Sequence, residues 1–134
     1  AIPGDLKGKR IGVQRATNFE RYATDHFVPT GAELVRYGTQ NEIYLDLLAG
    51  RLDASLAGSI AVEEGLLKGA GGEAFHFVGP SFSEQQYFGT GAGIAVRKQD
   101  PLVGELNKAL TNIRANGTYD QIRKKYFAVD IWSD

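Results

Sequence analysis

Cysteine and methionine are absent from this chain, and histidine occurs only at His26 and His76. The lack of cysteine excludes a disulfide framework, a thiolate nucleophile and a zinc–cysteine site. The two histidines share no metal-ligand spacing with each other or with an acid pair, so no metal is expected. Charge of one sign is missing too. Fifteen Lys and Arg against sixteen Asp and Glu leave a net charge of -1, which argues against nucleic acid as a partner. No apolar run approaches the length of a membrane-crossing helix. No G-x-S-x-G, P-loop or G-x-G-x-x-G follows a predicted strand, and no cofactor is called for. There is neither an initiator methionine nor a signal peptide, so the chain is expected to be processed or a piece of something longer.

What is present is globular: 134 residues, 43% hydrophobic and 23% charged, suffice for one ordinary domain with its own core. The chain is organised around Asp5–Glu20. Ile11–Gln14 reads as a short buried strand, Thr17 as a helix N-cap, and Glu20 as the partner that completes a capping box. Phe19, Tyr22, Ala23 and Phe27 then recur at helical spacing. A strand breaking into a helix N-terminus leaves unpaired backbone N–H groups and partial positive charge, which suits a carboxylate or phosphate. From spacing alone, a βα unit that holds no ligand is the favoured reading.

Ala32–Tyr37 reads as a second strand. Thr39 caps a helix over Gln40–Ala49, with Ile43, Tyr44, Leu47 and Leu48 on one face and Gly50 as its stop. Ala54–Ala57 is predicted as a third strand. Ser59 is the predicted cap of a helix that turns Ile60, Leu66 and Leu67 inward and that Gly65 weakens. Phe75–Val78 is predicted as a fourth strand. The order βαβαβαβ implies an α/β fold with an open, mostly parallel sheet flanked by helices. Phe82–Gly93 reads as a connector, and Gly89–Gly93 as a hinge. Gly93–Lys98 reads as a strand, and Asp100-Pro101 opens a helix with the stripe Val103, Leu106, Leu110 and Ile113. Gly117 ends it, and Thr118 caps a last helix carrying Tyr119, Ile122, Tyr126 and Phe127. Glu63-Glu64 and Arg123–Lys125 read as solvated faces. Nothing here builds an enzyme site. Binding is better supported, because ligands of open parallel sheets sit beyond the carboxyl ends of the strands. Gln14–Asn18 and Ala57–Ser59 are two such ends, expected on the same edge.

Six phrases carry a family: Asp5–Val13, Ala49–Ala54, Gly79–Ser81, Tyr87–Gly89, Gly93–Lys98 and Gly117–Asp120 with Lys124–Phe127. In order and spacing they resemble periplasmic solute-binding proteins for polar amino acids, nearest the lysine/arginine/ornithine- and histidine-binding branch of ABC importers. The resemblance implies a type II periplasmic binding protein lobe over residues 1–88. It implies that residues 89–134 are a crossover strand and a helical carboxyl-terminal segment that normally pack on a first lobe, here preceding Ala1. The stripe on the carboxyl-terminal helices would then lack its cover, at roughly 25 cal/mol per Å² of stranded apolar surface. The strand around Ile94 would be an open edge. Refolding, domain swapping with a neighbouring chain, other self-association or disorder of this segment is the expectation.

Carried over residue by residue, the resemblance gives the ligand-binding set Gln14, Arg15, Ala16, Thr17, Asn18, Phe19, Gly58 and Ser59, and no catalytic residue. The family's turn is usually Gly-Thr-Thr or Gly-Ser-Thr. Thr17 is kept, whereas Ala16 and Asn18 depart, and Phe19 replaces a usually polar residue. Gln14 falls where the ligand side chain is lined. Gly58 stands where the family places an aspartate that binds the ligand's α-ammonium, and Ser59 offers only a hydroxyl in its place. The resemblance thus implies weakened binding of simple basic L-amino acids, or a modified ligand. Arg15 either serves an added acidic group, as in an opine-like conjugate, or points to solvent. The implied role is the periplasmic binding component of an importer that closes two lobes on an amino acid or derivative and docks on an inner-membrane ABC permease. The alternatives on the same fold are an enzyme resembling cyclohexadienyl dehydratase and a receptor sensory domain.

Overall fold

The computed structural model describes residues 5–91 and 93–127. Its centre is β1, Arg10–Gln14, whose Ile11 and Val13 are almost completely buried. β1 pairs in parallel with β2, Glu33–Tyr37, from Arg10↔Glu33 to Gln14↔Tyr37. On its other side it pairs in parallel with β3, through Ile11↔Ala54 and Gly12↔Ser55, giving the order β2-β1-β3. Helix α1, Asn18–His26, connects β1 to β2, and α2, Gln40–Leu48, connects β2 to β3. Parallel neighbours need such crossovers, so the alternation in the sequence becomes a three-stranded parallel sheet with helices covering it.

The alternation of β1 divides the core in two. Ile11 and Val13 pack with Tyr22, Ala23 and Phe27 of the α1 region, while Ile43, Tyr44 and Leu47 of α2 gather with Leu52, Val62 and Leu66. Gly12, between Ile11 and Val13, lets α2 come close: a Cβ there would stand 2.6 Å from Leu52 Cδ1 and 2.8 Å from Ile43 Cγ2. Thr17 and Thr39 cap α1 and α2 as their positions predict, and α2 has a complete capping box with Glu42.

Several sequence expectations need correction. Leu48 is exposed on the outer side of α2. β3 is two residues, Ala54–Ser55, and not Ala54–Ala57. Gly58, not Ser59, is the N-cap of α3, Ser59–Val62, which runs on as a π-helical turn over Glu63–Leu67. Ile60 faces out, and Val62 and Leu66 make the inward contacts. Gly65 is a packing residue, since its Cβ would lie 2.5 Å from the Tyr44 ring.

Phe75–Val78 and Gly93–Arg97 are coil and Lys98 lies in a turn, all without sheet pairing. Strands exist only where a neighbour completes the ladder, and no described residue does so for either. Phe82–Phe88 is more than a connector. Its short helix α4, Gln85–Phe88, lies on α1, with Tyr22 ring centroids 4.8, 5.1 and 5.3 Å from those of Phe82, Tyr87 and Phe88. Tyr22 Oη donates to Glu84 at 3.0 Å and Tyr87 Oη to Asp25 at 2.8 Å. Burial, with the Glu84 contact second, pushes the Tyr22 phenol up to about 12.

The chain forms two compact units, the first extending to Gly89 and the second beginning at Thr90. The second unit contains α5, Leu102–Ala115, and α6, Thr118–Tyr126. Pro101 precedes α5, with Asp100 Oδ1 accepting from Leu102 N. Gly117, at φ 79°, is the N-cap of α6 in place of Thr118. No described residue of α5 or α6 is buried. Leu106, Leu110 and Ile113 are half-buried, whereas Val103, Ile122 and Tyr126 are exposed. The tail with Trp132 lies outside the described residues.

Glu20, Glu42, Asp46 and Asp53 all have carboxyls held below their ordinary range. Their leading partners are Arg36, the Thr39 backbone N–H, Arg51 and the Arg10 backbone N–H respectively. A depressed folded-state value adds stability above the ordinary carboxyl range that is lost as pH falls through the folded value. The urea midpoint should therefore be flat around neutrality and fall steadily once pH drops through the ordinary values of 4.5 for Glu and 3.8 for Asp. A midpoint that holds or rises through that window would show that these pairs add nothing.

Candidate functional site

The strand order reverses between β1 and β3, and the candidate site lies beyond their carboxyl ends. Gln14 closes β1: its Nε2 donates to Gly38 O at 3.2 Å. Arg15 N donates to Tyr37 O at 2.9 Å, which extends the ladder by one residue. The Arg15 guanidinium is beside Gly38 and near Glu20 and Glu42, on the β2 side of the turn. Ala16 then takes φ 59°, in the left-handed region where a Cβ is strained and glycine is not. This backbone requirement accounts for the glycine that the resemblance expects there.

Two groups hold the turn. Thr17 Oγ1 accepts from Glu20 N at 3.2 Å and donates to Gln14 O at 2.7 Å. Its single hydroxyl proton is therefore used within the turn. The Glu20 carboxylate reaches back to Ala16 N, at 2.7 Å, and not to Thr17 N as a capping box would have it. Its other oxygen accepts from Arg36 Nε at 2.6 Å. The backbone N–H groups of Thr17, Asn18 and Phe19 have no hydrogen-bond acceptor among the described residues. They are the orphan donors of the α1 N-terminus, where an anion is favoured. Ala16→Gly should relieve the strain and raise unfolding free energy by about 0.5–1 kcal/mol, after the glycine's larger unfolded-state entropy is subtracted. Urea denaturation measures it, and a loss of stability would rule out strain at this residue.

Gly58 and Ser59 stand across from this turn at the end of β3. Gly58 has φ -62° and ψ 132°, open to any residue, and a Cβ on it would lie 3.7 Å from Phe19 Cζ. Phe19, Gly58 and Ser59 share the wall of one cavity of about 770 Å³. The structure therefore brings Phe19, Gly58 and Ser59 together and turns Arg15 to the other side of the turn. Sequence reasoning missed the aromatic wall added by Phe82 and Phe88, whose only signal was three aromatics within seven residues of a polar stretch. Among the described residues, neither histidine joins an acid pair. His26 stacks against Tyr22 with centroids 4.4 Å apart, and His76 is exposed. Among the described residues, no group of three or more His, Cys, Asp or Glu side chains could hold a metal, and no helix is long and apolar enough to cross a membrane.

Residues 8–129 match the model of the bacterial extracellular solute-binding proteins, family 3. The chain is 50% identical to the L-arginine-binding protein of Pseudomonas aeruginosa over 96% of its own length and 50% of that protein's. It is 44% identical to the histidine-binding periplasmic protein of Escherichia coli, over 95% of this chain and 49% of that protein. Among solved structures, a Salmonella typhimurium periplasmic binding protein with high arginine specificity superposes with a TM-score of 0.75 at 30% identity. That match covers 94% of this chain and 55% of the other. The chain thus spans about half the length of the curated relatives it matches.

Proposed function

The chain belongs to family 3 of the bacterial extracellular solute-binding proteins, and from that premise we propose that it serves as a ligand-binding component of an ABC importer for amino acids or their derivatives. The observation that carries this reading is the place where β1 and β3 diverge. There, the α1 N-terminus carries three N–H groups with no acceptor among the described residues, and Phe19, which bears the third, lines the cavity together with Gly58 and Ser59. Parallel α/β sheets bind at such a switch point. Residues 1–88 act as one ligand-binding lobe, and residues 89–134 pack on a further lobe that closes on the ligand. Thr17, Asn18 and Phe19 hold the ligand carboxylate through their backbone N–H groups. Gln14, Arg15 and Ala16 shape the turn, and Gly58 and Ser59 form the opposite edge. The compartment is the periplasm and the partner an ABC permease of the inner membrane. We read the chain as a binding protein and not an enzyme, because the relatives it matches are binding proteins and the Asp53 carboxylate that lines the cavity is held by Arg10 N and Lys9 Nζ.

Amide NMR on the intact chain, titrated with a panel of L-amino acids and acylated amino acids, tests this. The Thr17, Asn18 and Phe19 amides should shift together in the presence of a ligand. A panel that leaves these amides unmoved at millimolar concentration would overturn the reading.

The exposed Val103, Ile122 and Tyr126 support self-association through residues 89–134. Native mass spectrometry should then find multiples of 14.6 kDa. A monomer at every concentration would refute it.

A further inference from the structure

Five of the seven phenylalanines of the chain line the cavity beside Gly58: Phe19, Phe75, Phe77, Phe82 and Phe88, with Leu56 between them. Among the described residues, Asp53 is its one acidic lining residue, and no lysine or arginine lines it. The Asp53 carboxylate is already engaged, accepting from Arg10 N at 2.8 Å and Lys9 Nζ at 3.3 Å. The other polar groups of the wall are serine hydroxyls, His76 and backbone. A volume of about 770 Å³ accommodates a ligand larger than a simple amino acid.

The charge pattern decides what such a ligand can be. A cationic group desolvated here would meet rings and hydroxyls but no free carboxylate, and an unpaired buried charge is strongly disfavoured. An uncharged aromatic or aliphatic group gains burial and ring contacts against the same wall. We infer that the cavity takes the uncharged apolar body of a small carboxylate ligand, so that this site selects carboxylates with a neutral aromatic or aliphatic group over basic amino acids. The inference rests on the reading of the Thr17 turn as the carboxylate site and adds the chemistry of the rest of the ligand. Phe77, 53% exposed, sets selectivity from the rim.

The test uses the intact chain, followed by amide NMR, with 3-phenylpropionate and L-arginine as probes. 3-Phenylpropionate should bind at least roughly tenfold more tightly than L-arginine, shifting Thr17–Phe19 together with Phe77 and Phe88. Phe77→Ser, at an exposed position, should weaken 3-phenylpropionate severalfold while leaving the urea midpoint unchanged. Tighter binding of L-arginine with shifts at Thr17–Phe19 would overturn the inference and leave the binding-protein reading standing. No response to these probes or to the amino-acid panel would overturn both. Amide shifts along the phenylalanine wall that depend on protein concentration alone would identify a second copy of the chain as the occupant and also overturn it.

Discussion

Gly12→Val is expected to cost the fold about 3 kcal/mol or more, beyond the usual 1–3 kcal/mol of an overpacked core. A Cβ at this residue would stand 2.6 Å from Leu52 Cδ1 and 2.8 Å from Ile43 Cγ2. Leu52 is a side chain that can turn away at its end. Ile43 is not: it is 0% exposed, and the methyl in question branches from Cβ, where a helix allows one dominant rotamer. Relief then requires α2 to lift from the sheet, and α2 carries three residues of the second core cluster. Against a total of about 5–15 kcal/mol for an ordinary domain, this is a large fraction. Gly12→Ala should lose less than valine. Combining it with Ile43→Ala should cost less than the sum of the two single changes, because each relieves the other's misfit. Urea denaturation of the four proteins measures the cycle. A valine variant within about 0.5 kcal/mol of the parent, the ordinary range for harmless surface changes, would show that α2 does not rest on β1 here.

Gly58→Asp is expected to raise affinity for L-arginine by roughly tenfold or more, the equivalent of one charged hydrogen bond at about 1.5–3 kcal/mol. The backbone at Gly58 is ordinary, with φ -62° and ψ 132°, and its Cβ would meet only Phe19 Cζ at 3.7 Å, a normal contact. Nothing steric explains the glycine, so the change should leave the fold intact. An aspartate there could also cap α3, whose N-cap has no side-chain bond at present. Gly58→Asn separates the two effects, since asparagine caps equally well but brings no charge. Amide NMR titrations with L-arginine should show tighter binding for the aspartate variant alone. Equal affinity in all three proteins would mean that this edge does not meet the ligand's ammonium group.

The sequence by itself determined what depends on residues a few positions apart. Thr17 and Thr39 cap their helices because each hydroxyl meets a backbone N–H three residues on. Gly50 ends α2 because its φ of 69° suits a residue without a side chain. The apolar runs of β1 and β2, separated by a capped helix, were enough for a parallel α/β reading and for its carboxyl-end turns. Tertiary structure alone decided the partnerships between distant residues. Glu20 chose Ala16 N and Arg36 over the local capping box, because Arg36 arrives from the neighbouring strand. Phe82–Phe88, polar on average, became part of the core because Tyr22 offered its ring. Phe75–Val78 and Gly93–Lys98 carry strand-like residues yet remain unpaired, since β-structure is a property of a pair and no partner among the described residues reaches them. Gly58 and Phe19, 39 positions apart, meet at one cavity wall only because β1 and β3 are neighbours in the sheet. Capping and periodicity are short-range and written in adjacent residues, whereas a binding surface is made where the chain folds back on itself.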